Sequence, residues 1–376
     1  MMTTDIEHCL PYVQLWFLLQ HSISAYRKLE QYFGGVEDAI QPKNLLKWHQ
    51  LKLHENHIKR ATQFYSDEVQ SQFKRCLKLL TAESDFILID HDERYPKQLL
   101  HYMNRPPILF VQGAWQNLHQ PQIAIVGSRV PSPQGKQVAY DFAYYLGERG
   151  FYITSGMALG IDEAAHEAGI AHKRTIAVIG TGIDQIYPTQ NRQLQQKILA
   201  NAGCVVTEFL PETKPLQHNF PRRNRIVSAL SLGVLVAEAG LKSGSLITAK
   251  AAAEQGKMIF VIPGHIYSES HKGCHQLIRE GAVLVDHPEQ IIEDLALPTQ
   301  WHCQQTLSEQ LDPCDYEQVP SHLLKLLNQL DWVGQDLDQL NQQLNLTTAE
   351  LTGQLVELEL LGFCMQQCGL YLRCRI

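Results

Sequence analysis

QIAIVGSRVPSPQGKQVAYDFAYYL, residues 122–146, decides the fold. Residues 123–126 are all apolar, Gly127 ends the run, and a helical pattern starts after a short Ser- and Pro-containing turn. A strand apolar on every residue is buried on both faces, which is the condition of a parallel sheet with helices above and below. A strand feeding directly into a helix is the first half of a βαβ unit. The same sentence is written again downstream. FYITSG (151–156), RTIAVIGT (174–181), CVVTEF (204–209), LGVLVAEA (232–239), KMIFVIPG (257–264) and AVLVD (282–286) are short apolar runs. Helical segments of about 10–15 residues separate them. Upstream, FILID (86–90) and PILFVQG (107–113) predict two strands that lengthen the sheet. Residues 84–296 therefore read as an α/β domain with an extended Rossmann-like parallel sheet.

The flanks read differently. Residues 1–80 are helical, with Leu15, Leu18 and Leu19, then Tyr26, Leu29, Tyr32 and Phe33 at helical spacing. Gly34-Gly35 reads as a helix C-cap. Residues 23–40 suit a SAM-like or helix–hairpin–helix domain, or a plain helical bundle. Residues 297–319, rich in Gln, Pro and His, read as a linker. Residues 320–376 predict three helices and a hairpin bracketed by Gly362 and Gly369, a winged-helix-like order. The third helix, 348–361, carries Glu350, Glu357 and Glu359 and no Lys or Arg. That charge repels phosphate, so a protein-interaction or dimer-packing role is expected for it.

The chain has 376 residues and a net charge of −7, so any nucleic-acid site must be a local patch on an acidic body. No apolar run is long enough to span a bilayer, and MMTTDIEHCL has no basic segment of a signal peptide. A cytoplasmic location without membrane attachment is expected. Nine scattered cysteines suit reduced thiols. Cys364, Cys368 and Cys374 do not have the spacing of a zinc site. His265, His271 and His275 lack a matching carboxylate. No metal is expected.

Ligands of open α/β sheets bind at the C-terminal strand edge, and the turns there carry the candidate residues. After the first strand, Gly127 permits a tight turn, Ser128 and the amides beyond it can donate to phosphate, and Arg129 adds a bidentate fork. Ser155 and Gly156 end the second. Asp162 reads as a helix N-cap or a hydroxyl acceptor, and His166 as a structural histidine. GTGIDQIYP begins a dinucleotide fingerprint with Gly180 and Gly182 but has Gln185 in place of the third glycine. No GxxxxGK[ST] occurs either, so no nucleotide cofactor is expected. In NFPRRNRIVSALS (219–231), Arg222, Arg223 and Arg225 crowd a helix N-terminus beside Asn224. The helix dipole and mutual repulsion oppose three cations there unless anions meet them. Phe220 reads equally as a base-stacking face or a hydrophobic staple. Lys242, Ser243, Gly244, Ser245 and Thr248 form a small-residue turn at a helix start, an anion cradle. Arg129, Arg222, Arg223, Arg225 and Lys242 together predict one cationic rim across the sheet, suited to a single-stranded polyanion.

Seven of these strings, YPKQLL…PPILFVQG, IAIVGSR, SGMALGIDEAAH, GTGIDQIYP, NFPRRNRIVSALS, GLKSGSLITA and GCHQLIREGA, resemble in order and spacing the DprA/Smf family of DNA-processing proteins, over about residues 84–295. The resemblance implies a non-catalytic Rossmann-like protein that binds single-stranded DNA, protects incoming DNA, homodimerises and helps load RecA during natural transformation. It places Arg129, the element Arg223-Asn224-Arg225 and residues 242–248 in the DNA site. Ala229 and His275 depart from the family pattern, which has Gly and commonly Asn there. The fold is also similar to that of nucleoside-monophosphate phosphoribohydrolases. Those carry a PGGxGT loop with a nearby glutamate. Here GLKSGSLITA lacks the double glycine, although Glu238 precedes it.

Overall fold

A computed structural model describes residues 2–295 and, within 320–373, all but 321, 331–334, 336, 345, 362, 368 and 369. The linker expected at 297–319 lies outside the described residues, as do Gly362, Gly369, Cys368 and Cys374. The chain divides into two compact units, Met1–Ile292 and Glu293–Ile376.

A nine-stranded sheet organises the first unit. Its strands are β1 (Phe86–Ile89), β2 (Ile108–Gly113), β3 (Gln122–Val126), β4 (Tyr152–Ser155), β5 (Thr175–Val178), β6 (Cys204–Thr207), β7 (Gly233–Val236), β8 (Met258–Val261) and β9 (Val283–Leu284). They lie in the order β1-β2-β6-β5-β4-β3-β7-β8-β9. From β5 to β9 this is the doubly wound order of a dinucleotide-type fold, with β6 added outside β5. Neighbours from β6 to β9 pair parallel, whereas β1–β2 and β2–β6 are antiparallel. Every residue of β3, β5, β6 and β7 is buried. That is why these strands read as unbroken apolar runs: helices cover both faces.

The N-terminal helices, among them Met2–Leu18, Ile23–Phe33 and Asp67–Glu83, do not keep a core of their own. Trp16, Leu19, Tyr26 and Leu80 belong to one buried cluster with Ile87 and Ile89 of β1, Ile108 and Phe110 of β2, and Val205 of β6. The strands added at this edge present an apolar face, and the helices bury it. Polar ties fix the contact. Trp16 Nε1 donates to the Glu208 carbonyl at 2.8 Å. Arg27 and Arg105 both pair with the buried Asp90 carboxylate at the end of β1. The Gly34 turn is left-handed, φ 78°, but the helix after it spans only Val36–Ala39 and opens with Glu37 and Asp38. Those carboxylates would face any phosphate at the hairpin, so the turn is suited to packing and not to DNA backbone.

The second unit contains helices Leu324–Gln329, Leu337–Leu344 and Thr348–Leu360, then the antiparallel pair β10 (Cys364–Gln367) and β11 (Leu370–Arg373). This is a winged-helix order around a small leucine core that includes Leu326, Leu340, Leu351 and Leu355. A capping box between Thr347 and Glu350 starts the third helix. Among the described residues no helix is long and apolar enough to cross a membrane.

A half-buried histidine, His21, and a fully buried one, His166, make the first unit acid-sensitive. His21 Nε2 accepts the Leu210 amide at 3.1 Å, a role open only to unprotonated nitrogen. Burial, aided by Arg222 and Arg60, pushes its pKa down to about 3. His166 bonds Thr175 Oγ1 at 2.7 Å, and burial with Arg223 lowers its pKa to about 3 as well. In the unfolded chain both bind protons below about pH 6.5. The native state excludes those protons down to about pH 3, so stability must fall as pH drops through this window. Each histidine should contribute a slope of about 1.4 kcal/mol per pH unit. Urea unfolding between about pH 4 and 6 should show a shallower pH dependence, by about that amount, in His21→Gln than in wild type. Equal slopes would mean that His21 takes up its proton in the folded state.

Candidate nucleic-acid interface

The chain leaves β3 toward β4 on one side and returns to β7 on the other. At that reversal the turns diverge, and a cleft opens at the C-terminal strand edge. It encloses about 1000 Å³. Gly127, Ser128 and Arg129 line it from β3, Gly156 and Asp162 from β4, and Lys242, Ser243, Gly244, Ser245 and Thr248 from β7. Phe220, Arg223 and Asn224 line it from the helix Asn219–Leu230. The two halves are tied where they meet: the Ser128 amide donates to the Glu238 carbonyl at 2.7 Å. A Cβ at Gly127 would lie 2.6 Å from Ile161 Cγ1 and 2.9 Å from that carbonyl, so the turn is closed to any side chain.

The cationic rim predicted from the sequence is split in two. Arg222 and Arg225 stand three apart on one face of their helix, and that face looks away from the cleft. Both meet the fully buried carboxylate of Glu208, which follows β6. Arg222 Nε and Nη2 lie at 3.0 and 2.7 Å from its oxygens, and Arg225 Nη2 at 2.6 Å. The Arg222 guanidinium also lies over the Trp16 and Phe209 rings. An internal carboxylate therefore meets the charge that seemed to require phosphate. Ser155 leaves the site too: it is buried, and its hydroxyl donates to the Ile125 carbonyl at 2.6 Å.

Arg223 points the other way, into the floor. Only 4% exposed, it donates to the Gly156 carbonyl at 2.5 Å and to the Val178 carbonyl, joining the ends of β4 and β5. Burial lowers its pKa to about 10, against the pull of Asp162. Burial raises the Asp162 pKa, while Arg223 and two backbone amides oppose the rise. Those amides, of Gly156 and Ala158, donate to Asp162 Oδ2 at 3.1 and 3.3 Å. Asp162 thus braces the turn before its helix, whose N-cap is Gly160. Between them Met157 adopts a left-handed φ of 60°, with its carbonyl held by Asn191 Nδ2 at 3.0 Å. A strained residue fixed on several sides marks a pre-shaped loop.

The cationic groups that do reach the cleft are exposed at its mouth. Arg129 lies over the Phe220 ring, 5.6 Å from its centroid. Phe220 packs at 5.4 Å against Tyr187, whose ring is exposed on the same wall. Tyr187 stands in GTGIDQIYP, where the partial glycine fingerprint drew attention away from the aromatic. Beside the same cleft, Lys242 precedes the helix Ser245–Glu254, whose N-cap is Gly244 and whose first amide is met by the Ser243 hydroxyl at 3.4 Å. The next two amides donate to the Ser243 and Gly244 carbonyls, and the positive dipole end of the helix faces the cleft that Gly244, Ser245 and Thr248 line. Arg129, Lys242, a helix N-terminus and two aromatic faces therefore converge on one cleft.

Glu238, the residue an enzyme of the phosphoribohydrolase type would need, is fully buried. Its carboxylate accepts from the Ser132 amide at 2.9 Å and the Ser132 hydroxyl at 2.5 Å. Of the three histidines noted in sequence, His271 bonds Ser268 and Ser270, and His275 Nε2 bonds the Gly264 carbonyl. Both serve to hold their loop.

The family model described as DNA recombination-mediator protein A matches residues 86–296, and that of the DprA winged helix domain matches 316–369. The chain belongs to the DprA/Smf family. Protein Smf of Escherichia coli is 40% identical over 298 residues, 79% of this chain and 77% of that protein. DNA processing protein DprA of Streptococcus pneumoniae is 44% identical over 204 residues, covering 54% of this chain and 72% of its own. The X-ray structure of the pneumococcal DprA superposes with a TM-score of 0.65 at 33% identity, over 75% of this chain and 97% of that one. A DprA structure from Helicobacter pylori, described as giving insight into single-stranded DNA binding, superposes with a TM-score of 0.51 at 33% identity, over 55% and 94%.

Neutralising the buried carboxylate tests the division of the arginines. Glu208→Gln keeps the shape but leaves Arg222 and Arg225 facing an uncharged group. It should lower the unfolding free energy by about 3–5 kcal/mol in urea titrations. A loss under about 1 kcal/mol would return both arginines to the surface pool.

Proposed function

We propose that the cleft holds the backbone of single-stranded DNA without chemically changing it. The observation that carries this is the convergence of Arg129, Lys242 and the positive end of a helix with the Phe220 and Tyr187 faces. Cations and a helix dipole attract phosphate whatever the base, and aromatic faces stack on any unpaired base. Duplex DNA keeps its bases stacked inside and offers nothing to those rings. The single-stranded DNA named for the Helicobacter relative supports the same assignment. Glu238, engaged by Ser132, supports a non-catalytic role over release of a base from a nucleotide.

The family relationship extends the proposal. The chain acts in the cytoplasm as a homodimer, protects incoming strands and helps load RecA on them in natural transformation. The acidic third helix of the winged-helix unit, with Val356 and Leu360 exposed, fits contact with protein better than contact with phosphate.

Arg129→Ala and Lys242→Ala should each weaken binding to oligo-dT about tenfold, with little dependence on sequence. Each should lower the slope of log affinity against log salt by about 0.7. Filter binding or fluorescence anisotropy across a salt series measures both. Wild-type affinity and slope in the two variants would refute the site.

A further inference from the structure

The loop 264–268, between β8 and the helix Lys272–Arg279, is built with more care than a connection needs. A Cβ on Gly264 would enter the His271 ring. His275 Nε2 holds the Gly264 carbonyl at 2.9 Å. His271 Nδ1 contacts the Ser270 hydroxyl at 3.1 Å, and the Ser268 amide donates to the His265 carbonyl at 2.9 Å. On this braced frame Ile266 is 70% and Tyr267 82% exposed, and the His265 and Tyr267 rings stand 5.5 Å apart. The loop continues into the cleft wall, since Glu269 and Ser270 line it and the Glu269 carbonyl lies against Gly240 of the Lys242 turn. Glu269 is paired with Lys272 at 2.5 Å, which blunts its repulsion of phosphate. Leu241 and Ile247, beside Lys242, are also exposed.

We infer that Tyr267, with His265 beside it, is a second stacking platform, which takes a base of the strand after its backbone leaves the Lys242 turn. The inference rests on the proposed occupation of the cleft by single-stranded DNA. Phe220 and Tyr187 form one aromatic wall of that cleft, with Arg129 over Phe220, and Tyr267 stands two residues before Glu269, on the wall that carries the Lys242 turn. A strand following the charges from the first wall reaches the second platform. A short oligomer seated on the first wall does not.

The test compares oligo-dT of about 4 and about 16 nucleotides, the range of lengths that single-strand-binding folds cover. Tyr267→Ala should bind the longer oligomer about tenfold more weakly than wild type, and the shorter one as wild type does. Its salt slope should be unchanged, because no phosphate contact is lost. Tyr267→Trp should restore the affinity. An oligomer with 5-iododeoxyuridine near one end should photocrosslink to residue 267 in the full-length protein. Arg129→Ala runs alongside. If it is impaired while Tyr267→Ala binds both lengths as wild type and no crosslink forms at 267, the platform is refuted and the cleft assignment stands. If Arg129→Ala itself binds normally, the cleft assignment falls and takes the platform with it. A crosslink from Tyr267 to a second copy of the chain, with none to DNA, would assign the loop to a protein contact and also refute the platform.

Discussion

The buried guanidinium of Arg223 holds the site together. It bridges the Gly156 and Val178 carbonyls, groups that the ends of two parallel strands would otherwise leave without donors. An unpaired buried carbonyl is costly, and so is a buried cation without acceptors. Each meets the other's need. The bridge fixes how far apart β4 and β5 end, places the arginine helix across them, and sets the cleft floor. A Cβ on Gly156 would lie 2.6 Å from the guanidinium carbon. The floor therefore depends on a glycine and an arginine from segments far apart in the chain.

Glu208 has the complementary part on the hidden side of the same helix. With two arginines on one buried carboxylate and a third on carbonyls, a helix start that looked overloaded with charge is internally settled. The cations left for a ligand are fewer and more exposed: Arg129 and Lys242. That arrangement suits a binding surface that must take up and release a polyanion, because exposed charge gives salt-sensitive attraction, whereas buried charge gives rigidity.

The strands were legible because a parallel sheet covered on both faces writes each strand as an unbroken apolar run, as in residues 123–126 and 205–206. Most of the cleft was legible as well, since its turns carry small residues beside Arg129 and Lys242. The facing of the arginines was not. Arg222, Arg223 and Arg225 occupy nearly adjacent positions, and buried Ile226, Val227, Ala229 and Leu230 give the helix no single polar side to read. Glu208, fourteen residues earlier, was the missing signal, visible only as a carboxylate at the end of CVVTEF. Tyr187 escaped because its neighbours suggested a glycine fingerprint. The continuity of the N-terminal helices with the sheet was hidden too. Leu15 and Leu19 would bury equally well in a free-standing bundle.

That continuity limits how the protein can be taken apart. Trp16 and Arg27 reach across to Glu208 and Asp90, and the helices that carry them cover an apolar face of β1, β2 and β6. Trimming the chain at residue 84 would bare that face and strip Glu208 of its lid. The leading segment is thus less an accessory module than half of a wall. Lineages that lost or exchanged it would have had to rewrite the strands beneath it.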